Sequence, residues 1–311
     1  MKKFLRKGII LAGGTGSRLY PLTKAISKQL APIYDKPMIY YPLTTLMLAG
    51  IKDILIITNK SDINAFKNLL GDGKHLGINI QFKIQSKPNG LAEAFLIGNE
   101  FLNGSPAALV LGDNLFHGDQ LLIKLMKNVS EVGATIFAYS VNNPKEYGVA
   151  EFDSNKKVIN IQEKPKKPKS NWAITGLYFY DKTVVERAKL LKPSKRGELE
   201  ISDLNNLYLK DNLLNVELMG RGMAWFDTGN CDSLLDASSY IRTLEKRQGL
   251  KIGCPEEVAW RLGYINNQEL KKIAKELNKS SYGKYLNNYL PKLWNLIIFK
   301  LISKEKPKWK L

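Results

Sequence analysis

Residues Gly8 to Lys28 read GIILAGGTGSRLYPLTKAISK. The run Gly8 to Leu11 is short, apolar and bounded by glycine, the pattern of a buried strand. It breaks into Gly13, Gly14 and Gly16, then Arg18, Lys24 and Lys28. Glycines let backbone N–H groups approach an anion closely and turn where a side chain would clash. Arginine and lysine supply countercharge for a phosphate chain. A strand ending in such a loop places a polyphosphate site at the carboxyl edge of an α/β sheet. A structural glycine-rich turn is the alternative. The loop is not a Walker A motif, since no Gly-Lys-Ser/Thr closes it, and it lacks the G-x-G-x-x-G spacing.

The pattern downstream extends that sheet. Asp53 to Thr58, Ile78 to Gln85, Ala107 to Leu111 and Ala134 to Val141 read as strands. Between them, Ser61 to Leu70 reads as a helix capped by Ser61 and stopped by Gly71, and Leu91 to Leu102 and Gln120 to Val132 are amphipathic at helical period. This order predicts a doubly wound, mostly parallel, Rossmann-like α/β sheet with its strand C-termini on one edge. Gly148 to Phe152, Lys157 to Gln162 and Ala173 to Tyr180 then read as a small antiparallel insert, spanning about 142–182, with the basic loop Lys164 to Lys169 inside it. Helices are expected at Lys182 to Leu191 and Ser202 to Lys210, and a strand at Leu214 to Met219. A long helix at Cys231 to Gln248 and shorter ones at Pro255 to Leu262, Asn267 to Leu277 and Tyr282 to Tyr289 follow. The organisation expected is a core over 1–240, a helical section over 241–290 and a basic amphipathic tail over 291–311. The tail either packs on this chain or a sister subunit, or lies on a membrane surface.

The chain has 311 residues, 44% of them hydrophobic, and a net charge of +18. That size supports a sizeable core. The excess charge comes from 39 lysines against 8 arginines spread along the whole chain. It carries no recognition-helix or zinc-finger pattern, so nucleic acid is not expected as a partner. No apolar run reaches membrane-span length. Cys231 and Cys254 make neither a metal spacing nor a disulfide framework, and a reducing cytoplasm is expected.

Asp113 follows a strand on the same edge as the glycine loop, a natural place for a magnesium ligand beside phosphates. Asp227, after Ala224-Trp225-Phe226, offers a second carboxylate. For each, a turn or helix-cap role is the alternative, and Asp227-Thr228-Gly229-Asn230 is itself a good cap sequence. Glu163 and Lys164 end a strand in the insert and suit hydroxyls and a second phosphate, or form a solvated pair. Tyr147-Gly148 either brings backbone to a ligand or starts a strand. Gln85 ends a strand and can pair by its amide with a base edge. His75 and His117 have no partner at a telling spacing and are not expected to be catalytic.

Taken together, LAGGTGSRLYPLT (Leu11 to Thr23), SKQLAPIYDKPMIYYPL (Ser27 to Leu43), LVLGDN (Leu109 to Asn114), YGV (Tyr147 to Val149), EKP (Glu163 to Pro165), TGLYFYD (Thr175 to Asp181), RGELEISD (Arg196 to Asp203) and WFDTG (Trp225 to Gly229) resemble the glucose-1-phosphate thymidylyltransferase family. The likeness is collinear from about Lys7 to about Leu290 and does not reach the tail. It implies nucleotidyl transfer from dTTP to α-D-glucose 1-phosphate with magnesium, giving dTDP-glucose for deoxysugar synthesis. It implies that Gly13, Gly14, Thr15, Gly16 and Arg18 wrap the triphosphate, that Leu11 belongs to the nucleotide site and that Lys28 and Gln29 reach phosphates and nucleotide. Gln85, Pro88, Gly90 and Leu91 would frame the thymine. Asp113 and Asp227 would hold the metal, with Arg18, Lys28, Asp113 and Lys164 carrying catalysis. Asn114, Tyr147, Gly148, Glu163, Lys164 and Ile174 would line the sugar-phosphate pocket. The family also implies a homotetramer with a regulatory site, matched here by Arg221, Cys254, Glu257 and Arg261.

Three rival readings compete with this one. A uridylyl- or cytidylyltransferase for the same sugar phosphate is one. A non-catalytic sugar-nucleotide sensor would lack Arg18, Lys28 or the two aspartates, and all are present. A basic nucleic-acid binder would show steeply salt-sensitive DNA binding.

Overall fold

The computed structural model describes residues 5–118, 121, 125, 132–155 and 157–289. Its centre is the strand read first, β1 (Lys7–Ala12). A two-residue hairpin, β2 (Pro32–Ile33) and β3 (Lys36–Pro37), precedes helix α1 (Tyr40–Leu48). Then come β4 (Asp53–Thr58), α2 (Ile63–Leu70), β5 (Asn79–Ile84), the short helices α3 (Glu93–Ile97) and α4 (Asn99–Leu102), and β6 (Ala107–Leu111). β1 pairs in parallel with β4 on one side and β6 on the other, and β5 continues the parallel order beyond β4.

Both faces of β1, β4 and β6 are covered, which is why they read as continuous apolar runs, whereas β5, at the sheet edge, alternates. Ile10, Ile54, Ile56, Ala108 and Val110 point into one core; Ile9, Leu11, Leu55, Ile57, Ala107 and Leu109 point into the other. The alternation is the period-2 geometry of a strand.

β7 (Asn114–His117), β8 (Ala134–Ser140), β9 (Gly148–Phe152), β10 (Val158–Glu163) and β11 (Trp172–Tyr180) follow. The antiparallel insert extends the main sheet: β11 pairs with β6 through Leu177–Tyr180, with β9 at Ala173, and with β8 along its length. A bulge between Ile174 and Tyr178 lets one strand serve all three neighbours. Helices α5 (Val184–Lys189) and α6 (Ile201–Lys210) lead to β12 (Leu214–Met219), parallel to β8, and β13 (Ala224–Asp227). The chain ends, among the described residues, in α7 (Cys231–Gln248), α8 (Pro255–Arg261), α9 (Asn267–Glu276) and α10 (Ser281–Tyr289).

Some expectations shift. The segment Leu91 to Leu102 is two helices, not one. A side chain at Gly98 would press within 3.0 Å of Ala94 O and Ile9 Cδ1, so the chain breaks there to stay close to β1. Helix α2 starts at Ile63, because Ser61 Oγ donates to the Asp62 carboxylate instead of capping a helix N–H. Strand β7, the β2–β3 hairpin and α1 come in addition to the elements the sequence pattern predicts. Of the helix expected over 120–132, only Leu121, Leu125 and Val132 are among the described residues; Leu121 and Leu125 are buried. The tail over 291–311 lies outside them.

Candidate active site

The glycine loop leaves β1 on the carboxyl edge of the parallel strands, and neighbouring side chains hold it by its carbonyls. Gln29 Nε2 donates to Gly13 O, Asn59 Nδ2 to Gly14 O at 2.8 Å, and Thr23 Oγ1 to Gly16 O at 2.7 Å. Gly14 has φ +94° and Gly16 +59°, backbone that side-chain-bearing residues rarely adopt. Carbonyl groups occupied in this way leave the loop's N–H groups available for an anion.

Asp113 sits in the turn from β6 into β7. β7 pairs antiparallel with β13, in the register Asn114↔Asp227, and Thr228 donates its N–H and its Oγ1 to Asp113 O at 3.1 and 2.8 Å. This two-stranded ladder brings the two aspartates to one place. Asn230, not Asp227, is the cap of α7: its side chain accepts from Ser233 N at 2.9 Å. Asp227 is thereby left for other work.

The two carboxylates differ. Burial pushes Asp113 up, but Lys28, bonded to it through Nζ, and Asn114 Nδ2 at 3.0 Å together hold it below the usual carboxylate range. Burial and the Asp113 charge push Asp227 up to about 6, against the pull of Lys28, Arg18 and Lys164. Arg18 lies against this group: a Cβ on Gly229 would come within 3.1 Å of Arg18 Nη2.

Two cavities open beside the aspartates. One, of about 330 Å³, lies under the glycine loop and is lined by Leu11, Gly13, Gln29, Gln85, Pro88 and Gly90 among others. A Cβ on Gly90, at φ +104°, would run into the Leu199 backbone, so this wall needs glycine. The other, of about 290 Å³, includes Asn114, Tyr147, Gly148, Glu163, Lys164 and Ile174. Arg18, Leu91, Leu111, Asp113 and Glu198 border both.

The second cavity is a tied polar cradle. Ser202 Oγ donates to Glu163. Arg196 grips Glu200 with Nε at 3.1 Å and Nη2 at 2.7 Å, and its Nη2 lies 3.6 Å from Glu163. Lys164 adopts φ +42°, and its N–H donates to Tyr147 O at 3.0 Å. Trp225 packs edge-on to Tyr147, with ring centroids 5.2 Å apart. Its Nε1 donates to Asn114 Oδ1 at 2.6 Å.

The structure thus gathers into one crevice most of the residues expected there. Thr15 and Gly16 sit in the loop without lining either cavity, and Lys28 faces Asp113. Ser202, Arg196, Glu198, Glu200 and Trp225 belong to the crevice too. They lie in the RGELEISD and WFDTG segments, where residue type and spacing alone do not mark them as site residues.

Cys254, Glu257 and Arg261 form a separate cluster in the C-terminal helices. Arg261 Nε lies 2.8 Å from Glu257, which also accepts from Tyr285. Tyr282 donates to Glu256, and its hydroxyl lies 3.1 Å from Cys254 Sγ. Arg221 lies apart from them in the sequence, on the exposed turn before β13.

A doubly wound sheet with a glycine loop, two aspartates and twin cavities at its carboxyl edge is the architecture of a nucleotide-transferring enzyme, and the nucleotidyl transferase family model matches residues 7–243. A glucose-1-phosphate thymidylyltransferase of Neisseria meningitidis serogroup A is 54% identical over 287 residues, covering 92% of this chain and all of the relative. One from Xanthomonas campestris pv. campestris is 57% identical over 282 residues, covering 90% and 96%. A Bacillus anthracis crystal structure assigned to the same enzyme, in complex with sucrose, superposes with a TM-score of 0.71 at 42% identity, covering 76% of this chain and 95% of that one. The chain belongs to the nucleotidyl transferase family, in its glucose-1-phosphate thymidylyltransferase branch.

Proposed function

We propose that this protein transfers the thymidylyl group of dTTP to α-D-glucose 1-phosphate, releasing pyrophosphate and forming dTDP-glucose. The substrates are those named by relatives that align over about nine-tenths of the chain. The observation that carries the chemistry is the wall shared by the two cavities, where Arg18 and Asp113 border both. A nucleotide under the glycine loop and a sugar phosphate over Glu163 and Lys164 would meet at that wall.

The sugar phosphate is already a nucleophile, so no strong general base is needed. Positioning and charge neutralisation do the work. Loop N–H groups and Arg18 hold the triphosphate, and Arg18 offsets charge on the departing pyrophosphate. Lys28 exchanges Asp113 for phosphate oxygens. Lys164 and Lys28 reduce the repulsion between two anionic reactants. Glu163 accepts from sugar hydroxyls in an orientation fixed by Ser202. Attack in line at the α-phosphorus leaves the anomeric C–O bond intact, so the product keeps its α configuration.

Asp113 and Asp227 fit magnesium. Among the described residues no group of three or more His, Cys, Asp or Glu side chains converges on a metal position. Two carboxylates completed by phosphate oxygens and water is the arrangement magnesium takes at such sites. Burial and the Asp113 charge, which together raise Asp227, are what a divalent cation would offset. When bound, the metal would neutralise charge on the phosphates.

Assembly as a homotetramer with a regulatory site at Arg221, Cys254, Glu257 and Arg261 belongs to the same reading. That part rests on the family resemblance, and sedimentation with and without dTDP-L-rhamnose tests it.

Pyrophosphate release from a panel of nucleotides and sugar phosphates tests the whole. Fast release is expected with dTTP, glucose 1-phosphate and magnesium. UTP or CTP used much better than dTTP would overturn the assignment.

A further inference from the structure

Gln85 follows β5 at the base of the first cavity and is 6% exposed. Its Nε2 donates to Glu93 Oε2 at 2.7 Å. The other oxygen of Glu93, Oε1, accepts from Asn89 Nδ2 at 2.8 Å. Glu93 opens α3, and Asn89 is itself pinned, its carbonyl accepting from Leu199 N at 2.7 Å.

The orientation of a glutamine amide is normally assigned from its surroundings. Here the chemistry assigns it. An ionised carboxylate accepts hydrogen bonds and donates none, so only the nitrogen end of the amide can face Glu93. The oxygen must then face the other way, toward the glycine loop. A Cβ on Gly13 would lie 2.7 Å from Gln85 Oε1. Gln85 therefore presents an acceptor, and only an acceptor, to whatever base enters beside Gly13.

Resting on the reading of this cavity as the nucleotide site, we propose that Glu93 is a positioning residue that sets base selection by locking the Gln85 amide with its oxygen toward the nucleobase. The locked oxygen accepts the N3–H that thymine and uracil both carry. Cytosine has an unprotonated acceptor at N3, and two acceptors facing each other leave both buried and unpaired. A site whose polar group cannot turn over rejects such a mismatch strongly. Without Glu93, the amide would be free to flip and offer its nitrogen to cytosine instead.

The test is the ratio of kcat/KM for dTTP over dCTP, and for UTP over CTP, in the wild type, Glu93→Leu and Glu93→Gln. Glu93→Leu is expected to lower both ratios about tenfold or more, the scale of one mismatched buried hydrogen bond. The ratio of dTTP to UTP should stay within about twofold of wild type, since both bases carry the same N3–H. Glu93→Gln can donate as well as accept, so it no longer forces the Gln85 amide into one orientation and should give ratios between those of the wild type and Glu93→Leu. A merely structural role for Glu93 would depress all four nucleotides together. Unchanged thymine-to-cytosine and uracil-to-cytosine ratios in a folded Glu93→Leu protein would overturn the proposal. A wild type that prefers UTP to dTTP would defeat the thymidylyl assignment alone, because the uracil-to-cytosine ratio still reads the action of Glu93.

Discussion

Lys28 Nζ is hydrogen-bonded to the Asp113 carboxylate, with only 10% and 20% of the two side chains exposed. The pair joins the turn after the glycine loop to the end of β6. The contact uses one of the three N–H donors of Lys28 and one oxygen of Asp113, whose other oxygen accepts from Asn114 Nδ2. Asp113→Asn keeps the shape and a hydrogen-bond acceptor but removes the charge. Turnover is expected to fall by about 10²-fold or more, the scale for losing one electrostatic group in a preorganised site. Thermal stability should change by no more than a few degrees. Pyrophosphate release and a melting curve on the same sample check both. Near-normal rates would sink the assignment of Asp113.

Asp227 tells the opposite story about stability. Its carboxyl is raised to about 6 by burial and by Asp113, so the folded state binds a proton more tightly than the unfolded chain does. The sign follows: in metal-free protein this group favours folding at low pH, and that contribution is lost as pH rises from about 4 through 6. Asp227→Asn removes the repulsion. In the presence of EDTA at pH 7 the variant should melt higher than wild type, by on the order of 1 kcal/mol, and the difference should shrink toward pH 4. Turnover should fall with magnesium present. A variant that melts lower at pH 7 would contradict the like-charge account.

The sequence made parts of this site legible and hid others for physical reasons. β1, β4 and β6 are buried on both faces, so each reads as an unbroken apolar run whose end marks the sheet edge. Asp113 could be placed on that edge from its neighbours alone. Its meeting with Asp227 could not, since Asp113 and Thr228 lie 115 residues apart and the contact is made by β7, only four residues long. Arg196 lies in the irregular connection between α5 and α6, and Ser202 in the first turn of α6, where no periodicity points inward. Helix α1 was obscured by Pro42, which sits in its first turn, where a missing N–H costs little. The resemblance to a known family supplied the convergence that local pattern could not.

Gly176 should be among the least replaceable residues. Asn114 is buried, and its Oδ1 accepts from Trp225 Nε1 at 2.6 Å and from Gly176 N at 3.0 Å, while its Nδ2 donates to Asp113. One amide thus ties β11, β13 and the Asp113 turn together. A Cβ on Gly176 would lie 2.6 Å from Asn114 Oδ1 and 2.7 Å from Leu111 Cγ. Gly176→Ala is expected to cost about 1–3 kcal/mol by overpacking. It should also lower turnover, because the displaced amide no longer orients Asp113. Urea unfolding alongside steady-state kinetics measures the two effects. A variant of unchanged stability would show that Asn114 has room to move.

The β2–β3 hairpin is held to α7 by four charges, and breaking that set should cost more than any surface pair. Lys36, 3% exposed, bonds Asp35 at 2.5 Å and Glu245 at 2.8 Å. Lys251 bonds Asp35 and, at 2.8 Å, Glu245, and Ile252 N donates to Glu245 Oε1 at 2.9 Å. Burial raises Asp35, but the hydrogen bonds from Lys251 and Lys36 outweigh it and hold the carboxyl below its ordinary value. A depressed carboxyl stabilises the fold above its unfolded pKa, and that contribution is lost as pH falls through the folded one. Glu245→Ala leaves Lys36 buried with half its countercharge and strands the Ile252 N–H. Removing one partner of a buried pair costs about 3–5 kcal/mol. Lys74→Ala, which breaks an exposed pair with Asp72, should cost about 0–1 kcal/mol. Urea midpoints for the two variants should therefore separate widely near neutral pH. Glu245→Ala unfolding at the same midpoint as Lys74→Ala would mean that the four charges are solvated in solution and do not fasten the hairpin.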